Sequence, residues 1–262
     1  DAARRALRAH FDDQRTGVHV SVIAPGLYRP RWCLPTPGPL VSLIVPTRDG
    51  HDLLQHSLGS ILAKTRYRHF EILVVDNQSS CPRTLRLLDR LQADHPGCVR
   101  VLRWDQAFNY AAINNFAARQ ARGEVLALVN NDVEVISPGW LGEMLSHALR
   151  PEIGCVGAML YYPNDTIQHA GVVIGIGGVA GHAFKGLPRG ASGYFDRLRL
   201  AHNVSAVTAA VLLLRREVFD RVGKYARRVF PDRCRHLQRA QRSAQEDDVA
   251  LDPFDQSHDR SH

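Results

Sequence analysis

Residues 124–136 read EVLALVNNDVEVI, and this stretch constrains the chain more than any other. Five of the six residues from 125 to 130 are apolar. The run is too short for a core helix, and it has the Val and Leu content of a strand buried on both faces of a parallel sheet. It stops abruptly at Asn130, Asn131 and Asp132. Open α/β sheets present their ligand-binding groups at the carboxyl ends of their strands, so the triplet stands where such a sheet does its chemistry. One carboxylate with two amide carbonyls is an all-oxygen donor set, which suits Mg²⁺ or Mn²⁺ better than zinc or copper. Taken alone, the triplet is also an ordinary turn.

The segments upstream decide between these readings. Strand patterns at 41–45, 70–75 and 99–102 alternate with helical ones. Leu53, Leu54, Leu58, Ile61 and Leu62 make one apolar helix face, and Pro82 opens a second helix carrying Leu85, Leu87, Leu88 and Leu91. Asn109 is placed to cap a third helix over 110–122, closed by Gly123. Strands and helices alternating at this spacing predict an α/β fold: a mostly parallel sheet with helices on both faces. Three of its strands run into acid-bearing loops, at Asp49, Asp76 and Asp132. Carboxylates can hydrogen-bond a nucleotide base or ribose, and a metal can bridge its diphosphate.

Ahead of this pattern, residues 2–14 read as a helix and 18–23 as an edge strand. Residues 24–39 hold enough prolines to predict an extended linker and the main domain boundary. The predicted units are 1–39, 40–223 and 224–262. No apolar run approaches the ~20 residues that span a bilayer. The five cysteines are scattered and never spaced C-x-x-C, which predicts free thiols, a cytoplasmic setting and no zinc ribbon. The net charge of +7 sits unevenly, with ten Lys or Arg against three Asp or Glu over 215–242.

Four stretches, in order and spacing, resemble a family 2 glycosyltransferase of the GT-A fold, Rossmann-like in its N-terminal half. They are VSLIVPTRDG (41–50), EILVVDNQSS (71–80), FNYAAINNFA (108–117) and the run 123–140. Further matches at 157–163, 168–171 and 206–219 resemble its bacterial surface-polysaccharide branch, of O-antigen or rhamnan type. The resemblance implies transfer of a sugar from a nucleotide-diphosphate donor, UDP or dTDP, to a saccharide or lipid-linked acceptor. It implies a divalent metal and a cytoplasmic site at the inner face of the membrane. It places Pro46, Thr47 and Asp49 in the nucleotide pocket, and Asp76 on the base. Asn130 and Asp132 take the two ends of the D-x-D metal motif. Asn130 stands where relatives carry Asp, so Asp132 is the expected metal ligand and a weakened site follows.

The glycine run 175–181 imitates a dinucleotide fingerprint, but 182–193 cannot form the helix that must receive a pyrophosphate, so a flexible loop over the rim is expected. His169 and His182 read first as structural histidines, and Trp140 as helix packing. After Gly223 the resemblance predicts an acidic motif carrying a general base. The chain has Arg-rich sequence there instead, with few aliphatic residues after 224. A disordered, aberrant terminus from a shifted reading frame and weak or absent transfer are the expectations, with 246–249 a surface charge run. The alternatives are a non-catalytic nucleotide-sugar-binding pseudoenzyme, or a basic module for nucleic acid or anionic surfaces. Sparse aromatics over 215–242 argue against single-strand nucleic-acid binding.

Overall fold

The computed structural model describes residues 2–222 and 249–251. Helix α1 (Ala2–Asp13) leads into a hairpin of β1 (Val18–Ala24) and β2 (Leu27–Trp32). The next elements are β3 (Val41–Thr47), α2 (His51–Lys64), β4 (Phe70–Asp76), α3 (Pro82–Asp94) and β5 (Val99–Arg103). Then come α4 (Tyr110–Gln120), β6 (Val125–Val129), β7 (Val133–Val135), α5 (Trp140–Ala148), β8 (Val156–Gly157), β9 (Leu160–Tyr161) and β10 (Ile167–His169). A second hairpin, β11 (Val172–Ile174) and β12 (Ala180–His182), precedes β13 (Val211–Arg215), α6 (Arg216–Arg221) and β14 (Val249–Leu251).

The main sheet has the order β5-β4-β3-β6-β13-β8. Its first four strands are parallel, and β13 pairs antiparallel to both β6 and β8. Every residue of β4 and β6 is buried, as the unbroken apolar runs require. Alternation along β3 divides the core. Leu43 and Val45 face Leu54, Leu58 and Leu88 of α2 and α3, with Leu141 and Leu145 of α5. Ile44 faces Ile113 and Ala117 of α4, with Phe219 of α6. Asn109 caps α4 as expected, its Oδ1 accepting the Ala112 amide hydrogen at 2.9 Å. Trp140 is fully buried, and its ring N–H reaches Thr65 Oγ1 at 3.0 Å.

Two expectations change. The proline-rich stretch contains β2, which pairs along its length with β1 and packs on α5, where Arg31 pairs with the buried Glu143. Proline fits because a two-stranded ribbon leaves half of its backbone groups unpaired. Within the stretch read as disordered, Val249–Leu251 forms a strand between β7 and β9. Backbone pairing supplies what the scarce aliphatic side chains did not signal. Cys234, the acidic run 246–248 and the rest of the 224–262 stretch lie outside the described residues. The other four cysteines are free thiols.

The amino end of the sheet is tied by one buried carboxylate. Glu71 Oε1 accepts from the Ser42 hydroxyl at 2.7 Å and from the Arg122 amide at 2.6 Å; Oε2 accepts from Arg122 Nε at 2.8 Å. Burial alone would raise this carboxyl, but those bonds outweigh it and hold it below the usual carboxylate range. Its contribution to stability is therefore present above that range and lost on acidification. Beside it, a Cβ on Gly123 would come within 2.5 Å of the Leu40 carbonyl oxygen and 2.7 Å of the Ser42 backbone nitrogen. Gly123→Ala should lower stability by about 2–3 kcal/mol, since backbone atoms must move. Glu71→Gln should cost a similar ~2–3 kcal/mol at neutral pH and flatten the acid limb of the stability curve. Urea unfolding at several pH values measures both, and an unchanged midpoint for either variant would contradict the arrangement.

Candidate functional site

Parallel pairing sets the carboxyl ends of β3, β4 and β6 level. Thr47 lies opposite Asp76, and Ile44 opposite Leu128, so β6 reaches the rim at Asn130. Thr47 joins both neighbours. Its carbonyl accepts the Asn77 amide hydrogen at 2.8 Å, and its hydroxyl accepts from Asn131 Nδ2 at 3.0 Å. Pro46 precedes it, half-buried.

The Asp49 loop folds over the β4 loop. The Asp49 amide donates to Ser79 Oγ at 2.7 Å, and its Oδ1 accepts the amide hydrogens of Ser80 and Cys81 at 2.9 and 2.8 Å. Asp49 and Gly50 both have positive φ, 53° and 65°. A Cβ on Gly50 would meet Asn131 Nδ2 at 3.9 Å, so this turn lies against the β6 loop too. Asp76 is 2% exposed. Its Oδ1 accepts the Ser79 amide hydrogen at 3.2 Å, and its Oδ2 pairs with Arg103 at the end of β5. Asn77 Nδ2 donates to the carbonyls of Trp104 and Gln106 at 3.2 and 2.9 Å.

Asn130 is held from the far side. Its amide donates to the Ala210 carbonyl at 2.9 Å, in a turn where the Thr208 hydroxyl accepts the Ala210 amide hydrogen. The Tyr110 hydroxyl reaches the Ala209 carbonyl at 3.2 Å. The Thr208 amide in turn donates to Nε2 of His169, which is 1% exposed. Thr208 is thus the hinge of this turn.

The structure brings Pro46, Thr47, Asp49, Asp76 and Asn130 to one rim, and Asp132 follows Asn131 in the short loop that leaves it for β7. Sequence reasoning missed Ser79, Asn77 and Arg103, which lace it, and did not foresee that Asn131 pairs with Thr47. A charged pair at two adjacent strand ends, Asp76 and Arg103, was the one available signal. A cavity of about 730 Å³ between β2, α5 and the 197–207 segment is lined by none of the rim residues; His169 lines it and also accepts the Thr208 amide hydrogen.

His169 and His182 stack edge to face, centroids 4.8 Å apart. His182 Nδ1 lies 2.9 Å from the Gln168 carbonyl and 3.3 Å from His169 Nδ1. The glycine run, expected as a flexible loop over the rim, forms the tip and part of the second strand of the β11–β12 hairpin, and this pair locks its base. Burial, with His182 alongside, pushes the His169 imidazole down to about 3. Its folded value lies below the ordinary 6.5, so its contribution is complete above that pH and fades as pH falls toward 3. Acidification across this window should cost at most about 5 kcal/mol from this group. His169→Asn should remove that part of the acid sensitivity, read from melting temperatures between neutral and acid pH; an unaltered profile would count against the buried neutral ring.

Comparison with known proteins agrees with this architecture. The family model described as glycosyl transferase family 2 matches residues 42–223. The chain is 52% identical over 227 residues to the uncharacterized protein y4gI of Sinorhizobium fredii (strain NBRC 101917 / NGR234), covering 85% of this chain and 24% of that protein. It is 48% identical over 229 residues to the O-antigen biosynthesis protein RfbC of Myxococcus xanthus, covering 87% of this chain and 18% of RfbC. It therefore spans about a quarter or less of these relatives. Among solved structures, the mannosyltransferase PcManGT from Pyrobaculum calidifontis, in complex with GDP-Man and Mn²⁺, aligns with a TM-score of 0.56 at 21% identity, over 83% of this chain and 55% of that one. GalNAc-T7 with UDP, GalNAc and Mn²⁺ aligns with a TM-score of 0.58 at 18% identity, over 72% and 37%. Both likenesses show the fold, GT-A. The chain belongs to glycosyl transferase family 2, and its α/β domain is a glycosyltransferase domain.

Proposed function

We propose that this domain transfers a sugar from a nucleotide-diphosphate donor, UDP or dTDP, to a saccharide or lipid-linked acceptor in cell-surface polysaccharide synthesis, at the cytoplasmic side of a membrane. The observation that carries the reading is the lacing of three parallel strand ends through Thr47. Such a rim is where open α/β sheets bind nucleotides. The name of RfbC supports the polysaccharide setting, and the GDP-Man and Mn²⁺ of PcManGT support the donor class.

Within this reading, Pro46, Thr47 and the Asp49 turn form the nucleotide side of the cleft. Asp49 acts by shaping the loop, because its Oδ1 is already engaged with two backbone amides. Asp76, fixed by Arg103, presents the floor against the base. Asp132 would hold a divalent metal, with the Asn130 carbonyl as a weaker donor. Among the described residues no group of three or more His, Cys, Asp or Glu surrounds such a site. Asp132 and the Asn130 carbonyl are oxygen donors, a set that fits an ion of the Mg²⁺ or Mn²⁺ kind, which would take its remaining oxygens from phosphate and water. When bound, that metal supplies charge neutralisation for the departing diphosphate. The expected general base falls after Gly223, outside the described residues.

The basic-module reading loses ground. Arg215 and Arg216, the first two cations of the basic stretch, hydrogen-bond to six backbone carbonyls, including those of Ala118 and Ala121 at the end of α4. Calorimetric titration with UDP- and dTDP-sugars tests the proposal. Mn²⁺ should tighten binding, and Asp132→Ala should remove that gain, a loss of about tenfold or roughly 1.4 kcal/mol. Equal metal-dependent affinity in wild type and variant would remove Asp132 from the site, and no binding of either nucleotide would remove the function.

A further inference from the structure

Eleven large hydrophobic side chains are exposed among the described residues, and eight of them fall between Val173 and Val204. Proteins seldom leave so much apolar surface together without a partner for it. The hairpin β11–β12 carries the densest part. Val173 and Ile174 are adjacent on one strand and so point to opposite faces of the ribbon, yet they are 42% and 67% exposed. Their pairing partners are Gly181 and Ala180, which offer almost no side chain to cover them. Ile176 and Val179 stand at the tip.

The neighbouring turn continues the surface. Tyr194 and Phe195 meet edge to face at 4.6 Å, and Phe195 is 79% exposed. Phe195 and Asp196 are consecutive non-glycine residues at positive φ, 51° and 56°, which aims the ring outward at a conformational cost. Gly193 packs against Phe184, two residues beyond β12, and Val172 bridges to Ala206, so hairpin and turn share one wall. Over 171–207 there are four Lys or Arg against one Asp, and Lys185 and Arg197 are exposed.

We infer that the β11–β12 hairpin and the Tyr194–Phe195 turn insert into the headgroup layer of an anionic bilayer. A flat protein partner covers one face of a ribbon and leaves the other wet, whereas lipid surrounds both. A second copy would bring the same positive surface against itself. The three-residue strands reach about 10 Å, the depth of an interfacial anchor and far short of the ~30 Å hydrocarbon core. The aromatics suit the water–lipid boundary, and Lys185 and Arg197 suit acidic headgroups. The inference does not depend on the sugar-transfer reading.

Cosedimentation of the whole chain with vesicles of phosphatidylcholine, with and without phosphatidylglycerol, tests it. Phosphatidylglycerol should strengthen binding. The triple variant Ile174→Ser, Ile176→Ser, Val179→Ser should weaken it about tenfold or more with an unchanged melting temperature, since those side chains are exposed. Lys185→Glu with Arg197→Glu should erase most of the phosphatidylglycerol effect. Ile176→Trp should be quenched by brominated lipid. Nucleotide-sugar affinity should not move in any variant. Binding that survives the triple substitution would assign the membrane contact to the Arg-rich stretch after 224 and overturn the inference. An absence of vesicle binding, or a dimer that the triple variant dissolves, would overturn it as well.

Discussion

The register of β3 between β4 and β6 is the constraint on which the rest depends. With Thr47 opposite Asp76 and Ile44 opposite Leu128, three loops leave the sheet at one level and can touch. Because all three strands are buried on both faces, a slip of one residue would turn apolar side chains between two differently packed helix layers. Glu71 fastens the opposite end, joining the starts of β3 and β4 to the Arg122–Gly123 approach to β6. The carboxylate lies at the opposite end of the sheet from the rim, and its four hydrogen bonds, from Ser42, from Arg100 and twice from Arg122, fix the level at which the rim loops begin. Its removal would leave the buried Ser42 hydroxyl and the Arg122 amide without their acceptor, at the cost of desolvated donors left unpaired.

Much of this was legible in the sequence because it is local. Continuous apolar runs bounded by polar triplets give strand identity, and 3–4 spacing of leucines gives helix faces. Asn109 announces its own helix start. What was not legible is pairwise and distant. Nothing near Asn131 tells that its amide meets Thr47, 84 positions away. The β2 strand was hidden because Pro30 and the prolines flanking the strand mask a pattern that only pairing with β1 makes regular, and β14 because a three-residue strand has no periodicity to read.

The same distinction separates residue type from residue use at the rim. The three acid-bearing loops were found by type, and their convergence follows from parallel pairing. The commitments of their oxygens do not follow. Asp49 spends Oδ1 on the Ser80 and Cys81 amides at the start of α3, the position where a carboxylate best satisfies orphan helix donors. Asp76 is enclosed by Arg103 and the Ser79 amide. Two of the three acids thus build the cleft's shape before any ligand arrives. Under the proposed function, metal binding then rests on Asp132, with Asn130 where the D-x-D motif would place its other carboxylate.

His169 shows how the second layer of strands bears on the first. Its ring nitrogen receives the Thr208 amide, the Thr208–Ala210 turn receives Asn130, and His182 closes the hairpin against it. A neutral, buried imidazole suits this relay, since a second proton would repel the amide donor it holds. The hairpin that exposes Ile174 and Val179 therefore springs from the same histidine pair that steadies the rim. Under the proposed function and the inferred bilayer contact, a loop fixed at its base to the rim, with its tip left apolar, orients the cleft relative to the lipid surface.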